Sequence, residues 1–188
     1  MAMDEAPHGA EAVPVQKKLD DLYALIDGIE TAMFTTRRPD GHLVSRPMAT
    51  QKQGGGADFW FVTDGDTHKL DELKHDPHVN LSYYRDRSRE WVSVSGTARI
   101  SRDREQVRAL YQPDWKAWFG DEGGERDGGP DDPRLTLVLV DAHSVVYMKT
   151  DAPRPVVLFE VVKGIVTGSP PDVGSVRVVS GREMHAAR

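Results

Sequence analysis

Apolar residues fall into two rhythms along this chain. Across residues 15–28, Leu19, Leu22, Tyr23, Leu25 and Ile26 recur at helical intervals and Ile29 continues the series, which predicts an amphipathic helix. From Thr31 onward the rhythm shortens to alternation. Short runs rich in β-branched and aromatic residues predict strands over 31–36, 42–51, 57–63, 79–84, 91–100 and 135–149. Arg37-Arg38-Pro39-Asp40-Gly41 reads as the first turn, and the glycines at 54–56 suit a hairpin between the second and third strands. A helical pattern returns twice: over 67–74, stopped by Asp76-Pro77, and over 104–118, where Val107, Leu110, Tyr111 and Trp115 mark an inner face and Pro113 predicts a kink. Residues 85–90 read as a charged loop and residues 120–133, rich in Gly, Asp and Pro, as an exposed one. Six antiparallel strands with short intervening helices predict an antiparallel barrel of the mainly-β-with-helices class rather than βαβ units.

The ends are less regular. Residues 1–14 are small and polar with two prolines and predict a disordered tail. Residues 156–166 are apolar almost throughout, and such a run is not typed by periodicity alone. A short strand is expected over 175–179 and a frayed tail over 181–188, so residues 15–180 read as one domain.

Composition narrows the function classes. The 188 residues carry a net charge of -6, which argues against general nucleic-acid binding, and no Cys, which removes disulfides, thiolate chemistry and zinc–cysteine sites. The polar N-terminus has no signal-peptide core, and no run approaches the roughly 20 apolar residues of a membrane span, so a cytoplasmic location with no membrane partner is expected.

Candidate chemistry concentrates between Arg46 and Lys69. The strand ending at Val62-Thr63-Asp64 runs into a helix that Asp66 or Thr67 can cap, and a helix start favours an anion. Lys69 lies one turn in, and Arg46 can reach the same point from a paired strand. Two cations, the hydroxyls of Thr63 and Thr67 and a helix N-terminus converging on one point make a phosphate site. Taken singly, Arg46 is an ordinary strand-edge residue, Lys69 an exposed helix lysine and the threonines turn-closing hydroxyls; the combination carries the reading. The four tryptophans favour core or interface roles, with Trp118 the first candidate for a cofactor contact. The seven histidines are scattered; His75 and His78 flank Asp76-Pro77 in a poor metal-ligand spacing, so no metal site is expected.

The stretches Arg46-Pro47-Met48, Phe61-Val62-Thr63-Asp64 with Thr67 and Lys69, Val79-Asn80-Leu81-Ser82-Tyr83, Val92-Ser93-Val94-Ser95-Gly96 and Lys116-Ala117-Trp118-Phe119, in this order, resemble the pyridoxamine 5′-phosphate oxidase-like split-barrel flavoproteins, in particular their general stress protein branch. The resemblance implies a six-stranded antiparallel split β-barrel of the FMN-binding type, a helix over 156–167, and a homodimer with flavin mononucleotide (FMN) in a cleft at its interface. It implies that Arg46, Thr63, Thr67 and Lys69 hold the phosphate, flanked by Val62, Asp64 and His68. The isoalloxazine ring then lies along Met48, Ala49, Thr50 and Gln51, after Pro47, with Trp118 beside it. FAD is the alternative flavin, and deazaflavin and haem occur in the superfamily; haem has no specific ligand candidate here. His68 stands where a small or basic residue is expected. The C-terminal Arg182 and His185 lack the setting that holds substrate phosphate in true pyridoxamine phosphate oxidases, so vitamin B6 oxidation is not expected. What remains is a flavin-dependent oxidoreductase of unknown substrate or a non-catalytic flavin-binding stress protein, with a ligand-free barrel adaptor as a third reading.

Overall fold

The computed structural model describes residues 13–52, 56–150 and 174–186. Helix α1, Val15–Ile29, buries Leu19, Leu22, Leu25 and Ile26 and ends at Glu30, a non-glycine residue at φ 67. Its periodicity sets the face that packs on the sheet. Asp21, on that face, is bound by Lys17 at 3.3 Å and by Lys149 and Arg177. These pairs tie α1 to the strands that end the fold.

The strands are β1 (Thr31–Arg37), β2 (Leu43–Ala49), β3 (Phe59–Asp64), β4 (His78–Arg85), β5 (Glu90–Ser101), β6 (Leu135–Lys149) and β7 (Ser175–Ser180). The further helices are α2 (His68–His75), α3 (Arg104–Leu110), α4 (Trp115–Phe119) and α5 (Gly181–Ala186). All strand pairs are antiparallel, in the order β2-β1-β4-β5-β6-β3, with β7 also on β6.

Strand β6 organises the sheet. Residues 135–140 pair with β3, residues 144–149 pair with β7, and β5 runs along the opposite edge of both halves. Between Ser95 and Gly96 the register steps from Ser144 to Ala142, which leaves His143 as an extra residue, a β-bulge. The close approach there requires Gly96, since a Cβ would lie 2.6 Å from the Asp141 carbonyl oxygen. In the gap between β3 and β7, buried Asp58 accepts a hydrogen bond from the Ala142 N–H at 2.8 Å.

Two apolar cores result. Leu22, Phe34, Phe61, Leu81, Val94, Val140 and Tyr147 lie in the larger one, beneath α1. Trp60, Val107, Trp115, Leu135, Leu137 and Leu139 form the second, beneath α3 and α4. Strand β3 therefore sends Phe59 and Phe61 into one core and Trp60 into the other. Away from the second core, no described element covers the opposite face of the sheet: across the registers, Pro47, Met33, Ser82, Ser93, Val146 and Val178 form one row, and Tyr84, Trp91, Met148 and Val176 another. All of these are half-buried or exposed.

Five expectations are corrected. The expected six-stranded barrel is a single seven-stranded sheet among the described residues, because β7 shares β6. Strands β2 and β3 do not form a hairpin ladder; β3, buried on both faces, pairs with β6, and the Gln51 N–H to Trp60 C=O bond at 3.0 Å links the two strands' ends. The helix over 104–118 is two helices, because residues 111–114 leave the helical path at Pro113, which lacks the N–H that would carry the ladder through. The loop over 120–133 is not wholly exposed: Asp132 is fully buried. The tail over 181–186 is helix α5, which buries Met184 in the larger core. Residues 1–12 of the disordered tail expected over 1–14, the helix expected over 156–167 and the Gly54-Gly55 part of the turn lie outside the described residues.

Candidate functional site

Alternation along β1 turns Ala32, Phe34 and Thr36 inward, and the register sets Phe34 opposite Arg46 on β2. Arg46 therefore points to the inner side, at the end of the sheet that α2 covers. One of its nitrogens (Nη1) donates to Thr36 Oγ1 at 2.8 Å, and the other (Nη2) to Glu72 Oε1 at 2.8 Å. Thr36 Oγ1 donates in turn to Glu72 Oε2 at 2.5 Å. Glu72 is buried on α2, and Lys69 one turn earlier donates to Thr63 Oγ1 at 2.5 Å. The sequence-predicted Arg46, Thr63 and Lys69 are thus brought together, joined by Thr36 and Glu72.

Charge at this point is paired: Arg46 bridges to Glu72 at 2.8 Å, and Asp64 and Glu72 both act on Lys69. Burial lowers the Lys69 ammonium pKa below the ordinary lysine value, and the neighbouring Arg46 charge lowers it further, against the opposing pull of Asp64 and Glu72. Burial acts to raise the Glu72 carboxyl, but hydrogen bonds from Thr36 and Arg46 and the Arg46 charge outweigh it and hold it low. Arg46 is already paired with Glu72, so the cost of the Lys69 charge is chiefly its desolvation. No side chain caps the N-terminus of α2, because the Thr67 hydroxyl donates to the Asp64 carbonyl at 2.9 Å, while Asp64 Oδ1 accepts the Asp66 N–H at 2.8 Å.

The other predicted residues spread out from this point. Met48 is in the core, while Pro47 and Ala49 face outward. Thr50 shares a 2.9 Å hydrogen bond with the Tyr83 hydroxyl, whose pKa burial pushes up. Gln51 accepts from Trp115 Nε1 at 3.0 Å, which ties the strand end to α4. Val62 is half-buried, His68 is exposed on the outer side of α2, and Trp118 is 81% exposed on α4.

Sequence reading missed two members of the cluster. Thr36 stands at an inward position of an apolar alternation, and Glu72 lies three residues after Lys69 on the same helical face, but only the fold brings the two to Arg46. It also missed Asp58, Asp141 and His185, whose ligand atoms lie within 4.8 Å of one another. There, Asp58 takes the Ala142 N–H, Asp141 pairs with Arg99 at 3.0 Å, and His185 Nε2 lies 3.8 Å from Asp58 Oδ2. A surface hollow lined by Val15, Gln16, Arg182, Glu183 and Ala186 includes none of the predicted site residues.

Comparison with known proteins gives concordant matches. A family model described as Pyridoxamine 5'-phosphate oxidase like matches residues 17–172. Protein bli-3 of Neurospora crassa is 39% identical over 182 residues, covering 94% of this chain and 86% of that protein. Among solved structures, a protein described as general stress protein 26 from Jannaschia sp. CCS1 superposes with a TM-score of 0.67 at 23% identity, covering 88% of this chain and 99% of its own. The general stress FMN/FAD binding protein of Xanthomonas citri is 27% identical, with a TM-score of 0.55 and coverage of 68% and 84%.

Proposed function

This chain belongs to the pyridoxamine 5'-phosphate oxidase like family, and on that premise we propose that it binds FMN and acts as a flavin-dependent oxidoreductase on a small molecule. The observation that carries the reading is that Arg46, bonded to Thr36 and Glu72, and Lys69, bonded to Thr63, stand by the start of α2, which no side chain caps. The residues fit the group. Arg46 and Lys69 would hold the phosphate with Thr63, and the uncapped start of α2 would add backbone N–H donors. Pro47, Met48, Ala49, Thr50 and Gln51 would offer backbone edges to the ring, with Trp118 beside it. Val62, Asp64, Thr67 and His68 would shape the phosphate turn.

When bound, the flavin supplies the electron chemistry. The chain's own part is to hold the phosphate, orient the ring along β2 and exclude water on one side. FMN is the preferred cofactor because one phosphate matches one pair of cations; FAD is the alternative. The uncovered apolar face of the sheet supports a homodimer with the cleft at its interface, and no nucleic-acid or membrane partner is proposed. Among the described residues no helix is long and apolar enough to cross a membrane; the cytoplasmic location is proposed from the sequence reading alone. Oxidation of vitamin B6 is not proposed. The second reading, a flavin-binding protein without turnover, is favoured by nothing beyond the general stress names of its relatives.

An absorption spectrum of the purified protein, with the released cofactor identified by mass, tests the proposal. Oxidised-flavin bands and the mass of FMN are expected, and bleaching by a nicotinamide donor would separate the oxidoreductase from the binding protein. A colourless protein that takes up no added FMN would overturn the reading.

A further inference from the structure

Three side chains from distant parts of the chain converge beside the bulge in β6. Asp58 precedes β3, Asp141 lies on β6 and His185 on α5, and one ligand atom of each lies within 4.8 Å of the others. Local packing brings them there. The start of α5 is pressed on β6: a Cβ on Gly181 would lie 2.9 Å from the Ala142 carbonyl oxygen. Met184 anchors the helix in the larger core, and the next residue, His185, is half exposed. From the other side Asp58, its side chain only 1% exposed, reaches the same place by accepting the Ala142 N–H at 2.8 Å.

The trio has the chemistry of a metal centre. His185 Nε2 and Asp58 Oδ2 stand 3.8 Å apart, beyond hydrogen-bond reach. An ion bonded at about 2.1 Å to tetrahedrally placed ligands holds them roughly 3.4 Å apart. The widest separation in the trio, bounded by 4.8 Å, therefore has to close by no more than about 1.4 Å. The part-exposed His185 and Asp141 side chains have the freedom to make that move. Each carboxylate is oriented from behind, Asp58 by the Ala142 N–H and Asp141 by Arg99 Nε at 3.0 Å, as outer hydrogen bonds orient metal-bound carboxylates. Two carboxylate oxygens and one imidazole nitrogen suit zinc, whose fourth position water can fill. Magnesium and calcium favour sets of six or more oxygens. Asp58 lies five residues before Thr63 along the chain of β3, roughly 17 Å at the rise of a strand, so this place is separate from the candidate phosphate site.

We propose that Asp58, Asp141 and His185 bind one Zn²⁺ ion, with water as the fourth ligand, and that the ion joins the start of β3, the bulge of β6 and α5. The proposal is independent of the flavin reading. Helix α5 has six residues, too few to be stable by themselves, and the ion ties its last turn to the sheet. The three ligands come from separate elements, so no local spacing in the sequence announces them.

The test uses the whole untagged chain, stripped of metal by a chelator and then titrated with Zn²⁺ in competition with a chromogenic chelator. Wild type should take up one ion per chain. His185→Ala and Asp141→Asn, both at the exposed side of the trio, should each weaken binding at least about tenfold. Asp58→Asn, which keeps an oxygen for the Ala142 N–H, should do the same. His143→Gln alters the nearby exposed pair of His78 and His143, whose ring centroids lie 6.5 Å apart, and should leave binding within about twofold. Zn²⁺ should also slow hydrogen exchange over residues 181–186 in wild type and not in His185→Ala. A wild-type chain that takes up no Zn²⁺ would overturn the proposal, as would binding that stays within about twofold in His185→Ala and Asp141→Asn. A loss in His143→Gln equal to that in His185→Ala would overturn it too, because the ion would then sit on the surface histidine pair.

Discussion

Lys69 is the residue on which the proposed phosphate site turns, and its lowered pKa has a testable sign. Its charged form is disfavoured by burial and by Arg46. In the ligand-free fold the cost of that charge is present below the folded pKa and relieved as pH rises through it. A bound phosphate reverses the balance by favouring the ammonium, so FMN binding takes up a proton at alkaline pH. Affinity should therefore decline as pH rises through a region below the ordinary lysine value of 10.5. Titrations at successive pH values check this, and Lys69→Arg, which stays charged, should remove the decline. Glu72 acts differently: its carboxylate satisfies Thr36 and Arg46 from the buried side. Glu72→Ala should cost about 1–2 kcal/mol of stability, read by denaturant unfolding, as the penalty for stranding those donors.

At the scale of elements, the second core and the loop beside it give two further expectations. Trp115 packs edge-on against Trp60 at 6.1 Å and against Tyr111 at 5.5 Å. Trp115→Ala should cost about 3–5 kcal/mol, measured by denaturant unfolding. Asp132 fixes the loop's acid limit. Burial acts to raise its carboxyl pKa, but hydrogen bonds from the Arg134 side chain and from the Arg134 and Gly128 N–H groups prevail and set it at about 2, below the ordinary 3.8. The stability it contributes is present above the ordinary value and lost as pH falls through the folded one. Hydrogen exchange over residues 120–134 should accelerate between about pH 4 and pH 2 in wild type, and Asp132→Asn should abolish that acid step. The chain announced α1, β1, β4 and β5 plainly, because each is wet on one face and apolar on the other. It did not announce the partner of β3, since a strand buried on both faces carries no alternation to say which neighbour it meets. Asp132 and Arg134 were equally silent: in a run of Gly, Asp and Pro, nothing local distinguishes the one carboxylate that folds inward.

For the whole molecule, the uncovered rows from Pro47 to Val178 and from Tyr84 to Val176 support self-association of the sheet face. Sedimentation should give a dimer, and Met33→Asp with Val178→Asp should shift it to monomer and weaken flavin binding together. A stable monomer that holds FMN tightly would contradict the interface cleft. That Arg46, Thr63 and Lys69 lie in one cluster was legible because charge and hydroxyl groups gather around a strand-to-helix turn. Their partners Thr36 and Glu72 were not, because they converge only once β1 and α2 are in place. The most direct test compares FMN with riboflavin, which lacks the phosphate, by flavin fluorescence titration of wild type, Arg46→Ala and Lys69→Ala. A charge-assisted hydrogen bond contributes about 1.5–3 kcal/mol, so each substitution should weaken FMN on the order of ten- to a hundredfold and leave riboflavin nearly unchanged. Equal loss of both ligands, or loss of neither, would contradict the phosphate assignment.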